Sequence, residues 1–104
     1  MKSIALPSAN IAQQGRNSDI SHLLARADAG DTAAQNLVGI HYLHGIGVRR
    51  DYPTAAKWFR RSAAGRNRDA QANLGLLYMR GLGVSQDYAS AAEWLLKAAS
   101  AGKL

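Results

Sequence analysis

No cysteine occurs anywhere in the chain, which excludes a disulfide framework, a thiol nucleophile and a thiolate metal site. Prolines number two. Pro7 breaks any helix near the start, whereas Pro53 falls in the first turn of a helix, where its missing N–H is harmless. No apolar run approaches the ~20 residues of a membrane span. The opening Met1-Lys2-Ser3-Ile4-Ala5-Leu6-Pro7 is also too short for the apolar core of a signal peptide. A cytoplasmic location is expected if the sequence is full length, and a lost targeting segment fits as well. Acid is scarce, with 7 Asp and Glu against 13 Lys and Arg for a net charge of +6. That balance raises affinity for polyanions and acidic partners without bearing on fold. Apolar residues make up 47% and charged residues 19% of 104 positions, so one small globular domain with a thin core is expected rather than a disordered chain.

What is present is a repeat. Ala34 to Ala63 returns 36 residues later as Ala70 to Ala99, with 13 of 30 aligned positions identical. They include Ala34/Ala70, Gln35/Gln71, Gly39/Gly75, Tyr42/Tyr78, Gly45/Gly81, Gly47/Gly83, Val48/Val84, Asp51/Asp87 and Trp58/Trp94. A fixed period in this range marks a solenoid, whose units bury their apolar faces only by stacking on neighbours. The spacing predicts helices near 18–29, 31–44, 52–64, 67–80 and 88–101, in antiparallel pairs. Residues 1–16 are expected to form an irregular arm, and 17–104 the repeat domain with units of about 31–65 and 67–102.

Local signals agree with that division. Asn17 or Ser18 caps the first helix, which Gly30 closes, making it the second half of an incomplete unit. In the first full unit Ala34, Val38, Gly39 and Tyr42 share one side of a helix. Gly39 costs that helix roughly 1 kcal/mol relative to Ala, and its return at Gly75 predicts close approach of two helix backbones. Gly45-Ile46-Gly47-Val48 and Gly81-Leu82-Gly83-Val84 turn the chain, the glycines permitting positive φ and the Val plugging the seam. Asp51 and Asp87 are N-caps of the helices that follow. Gly65 arrives one residue early against the period, which reads as loop variation.

The string Ala-Gln, Leu-Gly-x-x-Tyr, Gly-x-Gly-Val, Asp-Tyr, Ala-Ala and Trp in Ala70 to Trp94 resembles the Sel-like repeat, a relative of the tetratricopeptide repeat with a longer inter-helix turn. Two full copies and a preceding half cover roughly Asp19 to Gly102. The resemblance implies an all-α, right-handed α/α superhelix. It also implies a non-enzymatic scaffold or adaptor that binds proteins, with some members bacterial periplasmic or secreted factors.

Chemistry is thinly supported by the residues. His41 and His44 lie three apart, but no Cys exists and no acid lies one turn away in the same helix, so they read as surface or groove histidines. His22 stands alone. The Gly-x-Gly turns lack the third glycine, the Lys and the preceding strand of a phosphate loop. No metal, cofactor or catalytic set is expected. A basic cluster of Arg49, Arg50, Lys57, Arg60 and Arg61 could reach phosphates. The second unit, however, replaces Arg49, Arg50, Lys57 and Arg60 by Ser85, Gln86, Glu93 and Leu96, so a solvated convex face or an acidic protein partner is expected ahead of nucleic acid. The flank of the first helix of each unit, with Asn36, Ile40, Leu43 and His44 and then Leu76, Met79 and Arg80, lines the concave groove in superhelices of this kind and is the expected partner-binding surface. The alternative is that its apolar pairs pack within the chain. Leu95, Leu96, Ala98, Ala99 and Ala101 leave the last helix without a polar outer face, which predicts packing on a second chain or self-association.

Overall fold

The computed structural model describes residues 20–101. These residues form five helices in tandem antiparallel pairs: α1 (20–28), α2 (Thr32–His44), α3 (Tyr52–Ala64), α4 (Arg68–Arg80) and α5 (Tyr88–Ala101). The expected arm over 1–16 and the cap at Asn17 or Ser18 lie outside the described residues. Helix α2 packs on α3, α3 on α4 and α4 on α5, so successive helices stack in chain order as a solenoid requires.

Helix starts are set by side-chain caps that satisfy otherwise unpaired backbone N–H groups. Asp31 Oδ1 accepts from Ala34 N at 3.1 Å, Asp51 Oδ1 from Thr54 N at 3.1 Å, Asn67 Oδ1 from Ala70 N at 2.9 Å and Asp87 Oδ1 from Ser90 N at 3.1 Å. Backbone hydrogen bonds from Thr54 and Ser90 hold the carboxyls of Asp51 and Asp87 below the ordinary value of 3.8, and Arg26 does the same for Asp31. Ends are set by glycine. Gly45 and Gly81 take left-handed φ of 68° and 67°, after which Ile46 N donates to His41 O and Leu82 N to Leu77 O. Asp51 N then donates to Tyr42 O and Asp87 N to Tyr78 O, both at 2.9 Å. Each loop thus runs back to its own helix and delivers the next capping aspartate.

Pairing within a unit depends on the helix glycines. Phe59 of α3 is fully buried with its ring against Gly39, where a Cβ would stand 2.6 Å from Cε1. The expectation of backbone against backbone is corrected here: in the first unit a ring occupies the space. At Gly75 a Cβ would stand 2.8 Å from Leu95 Cγ and 3.1 Å from the Ala91 carbonyl oxygen, so a side chain and a backbone share the space.

The core is correspondingly thin, a layer at each seam. Ala27, Ala34 and Val38 meet Leu23, Leu24 and Trp58 at the first, and Ala55, Ala56, Phe59, Ala63, Ala70, Leu74 and Leu77 fill the second. Tyr42 touches both layers, and Val84 packs against the second. Polar bonds fix each unit on the helix before it and tie the two helices of a unit together. Gln35 Nε2 donates to Ala27 O at 3.0 Å and Gln71 Nε2 to Ala63 O at 3.4 Å. Ser62 Oγ donates to Thr32 O at 2.7 Å, whereas one period on Arg68 Nε donates to Ala98 O at 3.1 Å. The same junction is tied in both units, with donor and acceptor exchanged.

The early glycine has a physical explanation. Gly65 has an ordinary φ of −83°, and a Cβ on it would stand 2.5 Å from Thr32 Cγ2, so its small size serves close approach. The left-handed position belongs to Arg66, φ 71°, one period after Gly30 with φ 101°.

Three outcomes follow from this geometry. Gly39→Ala should lower stability by about 1–3 kcal/mol in urea denaturation, because the buried ring has nowhere to move and overpacking outweighs the better helix propensity. Arg66→Gly should raise it by about 0.5–1 kcal/mol by relieving left-handed strain on a side-chain-bearing residue. The capping carboxyls bind protons more weakly folded than unfolded, so their contribution is complete above 3.8 and is lost as pH falls below it. Melting temperature should therefore drop through that window, and less so in the Asp31→Asn, Asp51→Asn, Asp87→Asn variant, since Asn caps without titrating.

Candidate functional site

Helices α2 and α4 carry the expected partner-binding residues, and the structure divides them. Leu76 and Met79 are 42% and 37% exposed, one turn apart on α4 with exposed Arg80 beside them, and His44 is exposed at the end of α2. Asn36 is corrected: it is buried, and its Oδ1 accepts from Asn73 Nδ2 at 3.0 Å, tying α2 to α4. Ile40 and Leu43 are half-buried against the second core layer. The cause is that α4 covers the side of α2 on which Asn36 and Leu43 lie.

Leu37, absent from the expected set, is 42% exposed. Its signal was in the spacing: it lies seven residues, two turns, before His44 and falls outside the buried Val38–Gly39–Tyr42 stripe. The surface that α2 and α4 offer is therefore Leu37, Leu76 and Met79 as apolar points, with His44 and Arg80 as polar ones and Ile40 as a half-buried floor.

The basic cluster is exposed but largely engaged with its own chain. Arg50 lies over the Tyr52 ring at 5.1 Å and Arg61 over Trp58 at 4.6 Å. Arg60 Nη2 donates to Tyr78 Oη at 3.1 Å, and Arg61 stands 3.7 Å from Asp28. His41 Nδ1 lies 2.8 Å from Ile46 O, an arrangement that uses the ring to hold the turn. Among the described residues no group of three or more His, Asp or Glu side chains is placed to hold a metal ion, and no helix is long and apolar enough to cross a membrane.

The far end of the array differs from its middle. Ala56 and Ala63 are buried by the following unit, while their counterparts Ala92 and Ala99 on α5 are exposed. Tyr88 and Leu96 are each 67% exposed. The residues that the second unit covers on the first are thus open on the second.

Comparison with known proteins follows this geometry closely. Residues 32–67 and 68–103 each match the Sel1 repeat. A Sel1 repeat protein from Oxalobacter formigenes is similar over 77% of this chain and 23% of its own, at 49% identity and a TM-score of 0.75. The protein c5321, a protective antigen present in uropathogenic Escherichia coli strains, is 36% identical over 80% of this chain and 18% of its own, with a TM-score of 0.78. Helicobacter pylori cysteine rich protein B shares the fold at 22% identity and a TM-score of 0.77, over 80% of this chain and 62% of its own. The chain therefore spans less than a quarter of the length of the first two relatives. No curated protein matches it. Repeats of this kind are non-enzymatic interaction and scaffold units, and with two consecutive copies filling residues 32–103 the chain belongs to the Sel1 repeat family.

Proposed function

We propose that the chain is a non-enzymatic protein-interaction module that takes an extended peptide or a helix of another protein along the α2/α4 flank, the concave groove of superhelices of this type. The observation that supports this reading is the exposure of the apolar side chains Leu37 on α2 and Leu76 and Met79 on α4, with Arg80 next to Met79. Burying each contributes roughly 1.5–3 kcal/mol at most, before ordering costs. Arg80 supplies a charge-assisted contact that favours an acidic or C-terminal group on the partner. The rival surface from Arg49 to Arg61 is weakened as a polyanion site by the internal partners of Arg50, Arg60 and Arg61, and a short duplex should not be shifted by the pure protein even at low salt.

A photocrosslinking residue placed at Leu76 should trap a protein partner from the source organism, and one placed at Lys57 on α3 should not. Leu76→Glu with Met79→Glu should cut the yield about tenfold while leaving helicity unchanged, since both side chains are already exposed. Equal trapping from the two positions would refute the groove.

The open face of α5 supports a second reading, in which Tyr88, Ala92, Leu96 and Ala99 pack on a second chain. Light scattering at ~100 μM should then show dimers, and Leu96→Glu should return them to monomers.

A further inference from the structure

The two repeats differ at one outer junction in a way that points to a ligand. In the first, Arg61 stacks over Trp58 at 4.6 Å and stands 3.7 Å from the Asp28 carboxylate. Aromatic ring, cation and acid form a set. One period later Lys97 stacks over Trp94 at 4.4 Å, but Ala64 stands where the register calls for Asp28. Among the described residues no carboxylate lies within salt-bridge distance of Lys97 or Arg66.

A second cation replaces the missing acid's neighbour. Arg66 occupies the register position of Gly30 and holds a left-handed φ of 71°, a conformation that glycine adopts without strain and arginine does not. Strain of this kind persists where the side chain is needed. The Arg66 and Lys97 side chains border a cavity of about 670 Å³ between α3, α4 and α5, with Ala63, Ala64, Trp94 and Ser100 on its walls. The walls are mostly apolar, and the charges on them are of one sign.

We propose that this cavity binds an acidic peptide, whose carboxylate sits between Arg66 and Lys97 in the position that Asp28 supplies internally in the first repeat, and whose neighbouring apolar side chain rests on Trp94 and Ala101. The carboxylate orients the peptide through charge-assisted hydrogen bonds, and the apolar walls supply area. This site is separate from the α2/α4 flank and does not depend on it.

The test uses two pools of short random peptides identical except that one central position is fixed as Glu or as Gln, captured on the full chain carrying Arg80→Ala, which removes the cation of the α2/α4 flank, and every further variant is made in that background. The Glu pool should be retained about fivefold over the Gln pool, as a partly solvated ion pair allows. Ala64→Asp restores the internal acid and should bring the two pools to parity, while Ala64→Asn, equally exposed, should keep the preference. Arg66→Gly should melt at a higher temperature and yet lose most of the Glu preference, a combination that a purely structural arginine does not give. Leu76→Glu on the other flank should leave it intact. Equal retention of both pools by the Arg80→Ala protein, retention of neither, or a Glu preference that survives Ala64→Asp would each overturn the proposal; so would its loss in Leu76→Glu, which would assign the binding to the α2/α4 flank.

Discussion

The contact on which each unit depends is a large side chain seated on a glycine. Helix α2 gives up helix propensity at Gly39 so that the Phe59 ring can pack against its backbone, and α4 does the same at Gly75 for Leu95. A glycine in a helix interior costs roughly 1 kcal/mol, and full burial of a phenylalanine returns roughly 1.5–3 kcal/mol. The exchange is favourable only if the two helices hold that separation. Caps at Asp51 and Asp87 and the left-handed glycines at 45 and 81 fix where each second helix begins, and so place residues 59 and 95 opposite the gaps.

Because the core is only a seam thick, polar groups carry much of the register between units. Gln35 and Gln71 reach carbonyls at the end of the preceding helix, while within each unit the Ser62–Thr32 and Arg68–Ala98 ties hold the two helices together. The exchange of donor and acceptor between those two ties shows what sequence identity hides. Positions that differ between copies can still perform one mechanical task.

Most of the fold was legible because it is periodic. Four of the five helices begin within a residue of the expected position and end on it, since caps, left-handed glycines and apolar stripes are local signals read within a turn of chain. The candidate partner surface was less legible. Assigning Asn36 and Leu43 to an open groove required knowing how far α4 rotates over α2, a tertiary quantity that no spacing within α2 contains, and the bond from Asn73 to Asn36 is made across that rotation. Arg66 was hidden differently: Gly65 looked like a displaced turn glycine, and only the approach of Thr32 separates the need for a small residue from the need for a left-handed one.

The glutamine clamp gives the array a direction. Each Gln lies at the start of a unit and takes its acceptor from the last turn of the helix before it, so the cooperative block is not the stretch that repeats in sequence. It is a closing helix followed by a complete pair, straddling the written boundary. On this view α1, the second half of an incomplete unit, is also the foundation of the first repeat. It presents the Ala27 carbonyl and a wall of Leu23, Leu24 and Ala27 without which Trp58 and Val38 would face water. Any shortening, grafting or recombination of such chains has to keep Gly39 with Phe59 and Gly75 with Leu95 and to carry along the helix that precedes each pair, because a cut made at the boundary that the sequence advertises severs the glutamine clamp.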